Sequence, residues 1–263
     1  MRNTILCISV IVACLSACSH KTETSDLQQS TSITWIQDKT DPMFQQQSLF
    51  PTVPDSLWEA LSDGVPASMS CCLLQSEGKN ILIDAGLGAP FSQLIPRLKE
   101  LEVNPDSLEL IYITHLHPDH IGGLMHEGAC QFPNAKLYIN ELEYAAWTDS
   151  TADLNVQVIN TLDAYRDNIV LFHAGDTLEG GVVAIAAYGH TPGHTIFQKD
   201  SILVVGDIMH GVALQLEHPE YCAAYDQDPE TAIASRIRVL DYAKQNNLIL
   251  YGMHFPTPGY IKF

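Results

Sequence analysis

Thr114-His115-Leu116-His117-Pro118-Asp119-His120 places four side chains that ligate first-row metals within six residues. The stretch grows out of Leu108-Glu109-Leu110-Ile111-Tyr112-Ile113-Thr114, an apolar, β-branched and aromatic run that reads as a buried strand. If the extended geometry carries a little past Thr114, its period of two puts His115 and His117 on the same side. Pro118 ends the strand, and Asp119 and His120 fall on the turn into Ile121-Gly122-Gly123. Two imidazoles facing one way, with a carboxylate and an imidazole a turn later, can serve two adjacent cations. Packing alone gives no reason to crowd these side chains, which seldom bury without partners.

Three further candidates lie downstream, each in a turn or at the end of an apolar run. Gly189-His190-Thr191-Pro192-Gly193-His194-Thr195 is a loop punctuated by glycine and proline, after the strand-like Val182–Tyr188. Ser201–Asp207 delivers Asp207 at its C-terminal end, and Asn247–His254 delivers His254 in the same way. The ends of successive strands are where α/β folds place their sites. Taken singly, His194 reads equally as a turn residue, Asp207 as a helix N-cap and His254 as a histidine near the core.

Together, His115, His117, Asp119, His120, His194, Asp207 and His254 resemble the complete ligand set of the metallo-β-lactamase superfamily. The resemblance runs from roughly Phe50 to the C terminus. It implies an α/β fold, the αββα sandwich, with one metal on His115, His117 and His194. A second is implied on Asp119, His120 and His254, with Asp207 bridging the two. Asp84-Ala85-Gly86 matches the family's Asp-x-Gly turn, which makes Asp84 the acceptor that orients a ligand histidine. The bridging aspartate is similar to that of glyoxalase II-type thioesterases, quorum-quenching lactonases and methyl parathion hydrolase-like enzymes; β-lactamases of this fold lack it. Gly206–Gln215, Tyr225–Arg236 and Met253–Gly259 also resemble blocks of the methyl parathion hydrolase-like group. Lactonases of the superfamily carry tyrosine three residues after the bridging aspartate. His210 stands there in this chain, as a candidate catalytic hydrogen-bond donor or as packing.

The chemistry implied is hydrolysis by a hydroxide held between two divalent cations, zinc by default, about 3.5–4 Å apart. Asp119 is the expected proton handler. The substrate class implied is a small-molecule lactone, ester or phosphotriester. A glyoxalase II-like thioesterase is one alternative, although such enzymes add a C-terminal helical domain. A β-lactamase is another, opposed by Asp207. A metal-stabilised binding protein without catalysis is a third, opposed by a ligand set with nothing missing. Met125, Phe91, Trp147, Leu214 and Tyr225 are candidates to line a pocket, although such residues more often pack the core. Relatives usually continue into a further strand, so the end at Phe263 suggests a missing edge strand beside His254.

The bulk properties fit this reading. A chain of 263 residues suits one large domain. The net charge of −18 and pI near 4.7 exclude a basic nucleic-acid footprint. Residues 1–17 read as a lipoprotein signal peptide: a short positive start, then an apolar stretch too short to span a bilayer. Leu15-Ser16-Ala17-Cys18 resembles a bacterial lipobox, with Cys18 as the lipidated membrane anchor. That places the protein in the bacterial cell envelope, outside the cytoplasm, at the outer membrane or cell surface. Residues 18–45 read as a flexible polar tether and 46–263 as the hydrolase domain. Adjacent Cys71 and Cys72 on a strand point to opposite faces, so at most one is expected in the core. Oligomerisation and disulfide pairing are open at this level.

Strand-like runs lie near Ile33–Ile36, Met69–Gln75, Asn80–Asp84, Leu108–Thr114, Ala135–Asn140, Ile169–Phe172, Gly181–Tyr188, Ser201–Asp207 and Asn247–His254. Helical patterns lie near Phe91–Leu101, Glu141–Thr148, Leu154–Asn168 and Pro229–Asn246.

Overall fold

The computed structural model describes residues 30–61, 64–149 and 156–263. Two six-stranded sheets form, and within each the strands lie side by side in chain order. The first holds Ser32–Gln37 (β1), Ser70–Ser76 (β2), Lys79–Ile83 (β3), Leu110–Tyr112 (β4), Lys136–Asn140 (β5) and Ile169–Phe172 (β6). The second holds Thr177–Leu178 (β7), Val182–Ala186 (β8), Thr195–Lys199 (β9), Ile202–Val204 (β10), Ile249–Tyr251 (β11) and Tyr260–Lys262 (β12). The β2–β3 hairpin turns on Glu77-Gly78, both at positive φ, which is the geometry that two-residue hairpins require. Parallel pairing then takes over from β3 to β6, with helices Leu94–Glu100, Glu141–Thr148 and Val156–Ala164 on the crossovers.

Strand alternation explains the layering. In β3, Leu82 faces outward to Leu94 and Leu98 of the first helix, while Ile81 and Ile83 face inward to the second sheet. In β10 the pattern repeats: Ile202 and Val204 meet the first sheet, and Leu203 meets Val239, Leu240 and Ala243 of helix Pro229–Asn246. Each sheet is thus apolar on both faces, which forces helices onto both outer surfaces. The result is the expected αββα sandwich. The same burial corrects the expectation for the cysteine pair. Cys71 packs on the helix side and Cys72 between the sheets, so both are in the core. Cys71, Cys72, Cys130 and Cys222 are all free thiols.

Two other expectations change. Residues 30–45 are not tether: Ser32–Gln37 pairs along its whole length with β2, and Met43–Gln45 forms a ribbon with Val65–Ala67. Between them, fully buried Asp38 accepts the backbone N–H groups of Leu87, Gln93 and Leu94, so this segment fastens the loop that follows β3. At the other end, Tyr260–Lys262 supplies the edge strand, pairing with β11 and closing the segment that bears His254. The expected signal peptide at 1–17, the Cys18 anchor and the first part of the tether lie outside the described residues. Among the described residues no helix is long and apolar enough to cross a membrane.

Candidate metal centre

The candidate ligands gather where strands of both sheets end along one edge. The chain leaves β4 at Tyr112 and reaches His115 and His117; it leaves β10 at Val204 and reaches Asp207. His254 follows β11 in the same way. Pro118 opens the single helical turn Pro118–Ile121, with His117 extended ahead of it, so Asp119 and His120 swing to the other side of the cluster. The turn is pressed against the loop after β3: a Cβ on Gly122 would lie 2.0 Å from the Leu87 carbonyl oxygen. Only glycine permits that approach.

On one side of the cluster, three ring nitrogens converge. His117 Nδ1 is 2.9 Å from His115 Nε2 and 3.0 Å from His190 Nε2. Asp207 Oδ2 completes this group, 3.8 Å from His115 Nε2 and 3.4 Å from His190 Nε2. On the other side, Asp119, His120 and His254 form a second group. There His254 Nε2 is 3.6 Å from Asp119 Oδ2 and 3.2 Å from Asp207 Oδ2, while Asp207 Oδ1 lies 3.1 Å from His120 Nε2. Asp207 therefore touches both groups: Oδ2 faces His115 and His190 and also His254, while Oδ1 faces His120. The structure brings together His115, His117, Asp119, His120, Asp207 and His254.

His194 is the exception, and it corrects the expected set. Its Nδ1 donates to the Ala187 carbonyl at 3.0 Å, and its Nε2 accepts the Asp207 backbone N–H at 3.0 Å. Both ring nitrogens are thereby used, so no lone pair is left for a cation. His190, four residues earlier in the same loop, supplies the nitrogen that the family resemblance had assigned to His194. His194 instead braces the turn that presents Asp207.

Three of the converging imidazoles, His120, His190 and His254, are anchored through their other nitrogen, as ligand histidines are. His120 Nδ1 donates to Asp84 Oδ2 at 2.7 Å, and Asp84 also accepts Thr114 N–H and Oγ1–H at 2.8 Å each. His190 Nδ1 donates to Asp226 Oδ1 at 2.9 Å, and His254 Nδ1 to the Ser68 carbonyl at 2.9 Å. Asp226 is itself held by the buried guanidinium of Arg236 at 3.2 Å. Asp84 was legible in its Asp-x-Gly turn. Asp226 and Arg236 lay unremarked within the block Tyr225–Arg236, whose word pattern carries no sign of which residue faces which histidine.

The electrostatics sort the site. Burial pushes His115 well below its ordinary value, and burial with the neighbouring His190 holds His117 at about 3. Burial opposes protonation of His254 too, but the Asp207 and Asp119 carboxylates outweigh it and lift His254 to about 9. Asp207 is buried, which disfavours its charge, yet His254, His120 and His210 around it keep it ionised. On the His115 and His117 side, neutral imidazoles with lone pairs aimed at one another, beside an ionised carboxylate, form a donor set that fits a divalent cation. His120 Nε2 and Asp207 Oδ1 point the same way: both are buried and, despite their proximity, lack a partner in hydrogen-bond geometry.

His210 stacks on His254 with centroids 5.0 Å apart and places Nε2 3.2 Å from Asp207 Oδ2. Its Nδ1 is buried without a hydrogen-bond partner among the described residues. A cavity of about 410 Å³ opens over the cluster, walled by Met43, Gln45, Met69, Leu87 and Tyr225 beside Asp119, His210 and His254. Of the pocket candidates only Tyr225 lines it. Trp147 packs edge-on against His117, Leu214 lies in a separate small core with Phe50, and Phe91 and Met125 lie elsewhere. Met43 and Gln45, from the segment expected to be tether, take their places.

Comparison with known proteins accords with this geometry. The chain belongs to the metallo-β-lactamase superfamily, whose profile matches residues 66–254. It is 29% identical over 147 residues to YobT of Bacillus subtilis, covering 53% of this chain and 61% of that protein. It is 26% identical over 212 residues to N-acyl homoserine lactonase of Bacillus thuringiensis, covering 70% of this chain and 80% of that protein. Among solved structures, the hydrolase AbOPH of the β-lactamase superfamily superposes with a TM-score of 0.77 at 28% identity, covering 88% of this chain and 89% of that one. The dizinc quorum-quenching lactonase AidC superposes with a TM-score of 0.79 over the same shares, but at 23% identity it speaks for the fold alone. The protein is a metal-dependent hydrolase.

Proposed function

We propose that the protein holds two divalent metal ions, zinc by default, and hydrolyses the ester-type bond of small uncharged molecules: lactones, aryl esters or phosphotriesters. His115, His117 and His190 hold one ion, Asp119, His120 and His254 the other, and Asp207 reaches both. The observation that carries this reading is the placement of the Asp207 carboxylate between two separate groups of converging donors. When bound, such a pair of cations lowers the pKa of water and polarises the scissile oxygen.

The chain's own residues do the rest. Asp119, a quarter exposed in its side chain and at the cavity wall, takes the proton from the attacking water and returns it to the leaving group. His210, kept neutral by burial, offers its ring N–H to a substrate oxygen. Met43, Met69, Leu87 and Tyr225 hold the apolar part of the substrate and keep bulk water from it.

Charge favours neutral substrates over the alternatives. Among the described residues the cavity wall carries no lysine or arginine. The carboxylates of a glutathione thioester or a β-lactam would find no cationic side chain there. The N-terminal residues fit anchoring through Cys18 in the cell envelope, which a Cys18→Ser variant moving to the soluble fraction would support. The test of function is a panel of γ- and δ-lactones, an aryl ester, a phosphotriester, S-lactoylglutathione and nitrocefin with the zinc-loaded protein. Turnover of the first group well above the last two is expected; preference for nitrocefin or the thioester would overturn the assignment.

A further inference from the structure

Glu143 is a carboxylate with almost no solvent exposure and, among the described residues, no cationic partner, on helix Glu141–Thr148 outside the ligand set. Four donors satisfy it. Oε1 accepts the Leu116 backbone N–H at 2.9 Å and Trp147 Nε1–H at 2.8 Å. Oε2 accepts the Thr191 hydroxyl at 2.7 Å and the Gly193 backbone N–H at 2.9 Å. Leu116 is the residue between His115 and His117, and Thr191 and Gly193 follow His190. One side chain therefore grips both loops that supply the three-histidine group. The fit is close: a Cβ on Gly193 would lie 2.2 Å from the Glu143 backbone nitrogen, so only glycine lets that loop reach the helix. Trp147, locked by the same carboxylate, packs edge-on against His117 with centroids 5.8 Å apart. Asp119, His120 and His254 receive nothing from Glu143; Asp84 and the Ser68 carbonyl anchor His120 and His254.

A buried carboxylate without a cationic partner is an expensive way to stabilise a helix, and a well-packed apolar residue would serve stability as well. Its four donors, drawn from both ligand loops and from the ring beside His117, serve placement instead. We propose that Glu143 is the positioning residue of the three-histidine half of the centre. It fixes the spacing between the His115–His117 loop and the His190 loop, and so tunes affinity for one metal ion without touching the other. This rests on the two-ion reading above.

The test is zinc competition against a chromogenic chelator, using the full zinc-loaded chain and its Glu143→Gln variant. Glutamine keeps the volume but sets an NH2 group against donors. One zinc ion is expected to weaken about 10- to 100-fold, the range for residues that orient ligands, while the other stays within twofold of wild type. Thr191→Val removes a single donor and should give a smaller loss at the same ion, which keeps the inference testable if Glu143→Gln does not fold. A merely structural role predicts a lower melting temperature of the zinc-free protein with both affinities unchanged, or both weakened together; either overturns the proposal. A wild-type chain that takes up no zinc refutes the two-ion reading itself, and this inference with it.

Discussion

His190 and His194 stand four residues apart in one loop, and opposite behaviour is expected when each is replaced by leucine. His194→Leu removes the partner of the Asp207 N–H and of the Ala187 carbonyl, both 3.0 Å from a fully buried ring. Leaving two buried backbone groups unpaired costs about 1–3 kcal/mol each. For a domain of this size that lowers the melting temperature of the metal-free protein by at least roughly 4 °C. His190→Leu breaks one bond to Asp226, whose carboxylate keeps Arg236 and the Ala223 N–H, so metal-free stability should change less. It removes a direct ligand, however, and should lower affinity at that half of the centre by more than the about 10- to 100-fold that losing an orienting partner costs. The assay pairs elemental analysis after gel filtration with thermal unfolding in chelator, where bound metal cannot mask the difference. His190→Leu should lose about one ion per chain, whereas His194→Leu should keep its metal and melt early. The reverse pattern, with metal lost from His194→Leu and retained by His190→Leu, would refute the assignment and reinstate the ligand set that the family resemblance implied.

Asp119→Asn should cut kcat by about 10²–10⁴ if it handles the proton; a variant within threefold of wild type, by steady-state kinetics, would remove it from catalysis. Tyr225→Ala strips an exposed aromatic from the cavity mouth and should raise KM about fivefold, equivalent to about 1 kcal/mol of apolar contact, with kcat nearly unchanged. Glu179 is held at about 2 by hydrogen bonds from Tyr138, Lys136 and Lys79. A depressed carboxylate stabilises the fold above its ordinary value of 4.5 and loses that contribution as pH falls toward 2. Glu179→Gln should therefore be less stable than wild type at neutral pH, by under about 1 kcal/mol at so exposed a site. The two should converge in urea unfolding as pH drops below 4.5; a gap that stays constant with pH would contradict the ion-pair origin.

The sandwich was legible chiefly through the family resemblance that the ligand words carry, with the strand and helix patterns agreeing; Glu141–Thr148 and Pro229–Asn246 have the bounds the sequence suggested. Thr195–Lys199 escaped notice although it is central to the second sheet. Its five residues follow a glycine-proline loop without a break, so the loop's punctuation hid the strand. The strand near Ile33–Ile36 was readable, but its polar surroundings placed it inside the expected tether, because an edge strand half open to solvent need not be apolar throughout. The first ligand cluster was readable because its residues are contiguous. The choice between His190 and His194 was not, since both follow glycine in one loop and only the fold decides which ring turns toward Asp207. Asp226 and Glu143 act across 27 to 50 residues of chain on the groups they orient. No local pattern marks a carboxylate whose partners are backbone N–H groups of distant loops.

Reconstitution tests the central claim most directly. The soluble chain, stripped with chelator and dialysed, is reloaded with increasing zinc while bound metal and lactone or aryl-ester hydrolysis are followed together. Binding should approach two ions per chain, with turnover appearing as the pair fills. Saturation without retained metal, or hydrolysis equally fast in the stripped protein, would contradict a paired-cation centre at Asp207.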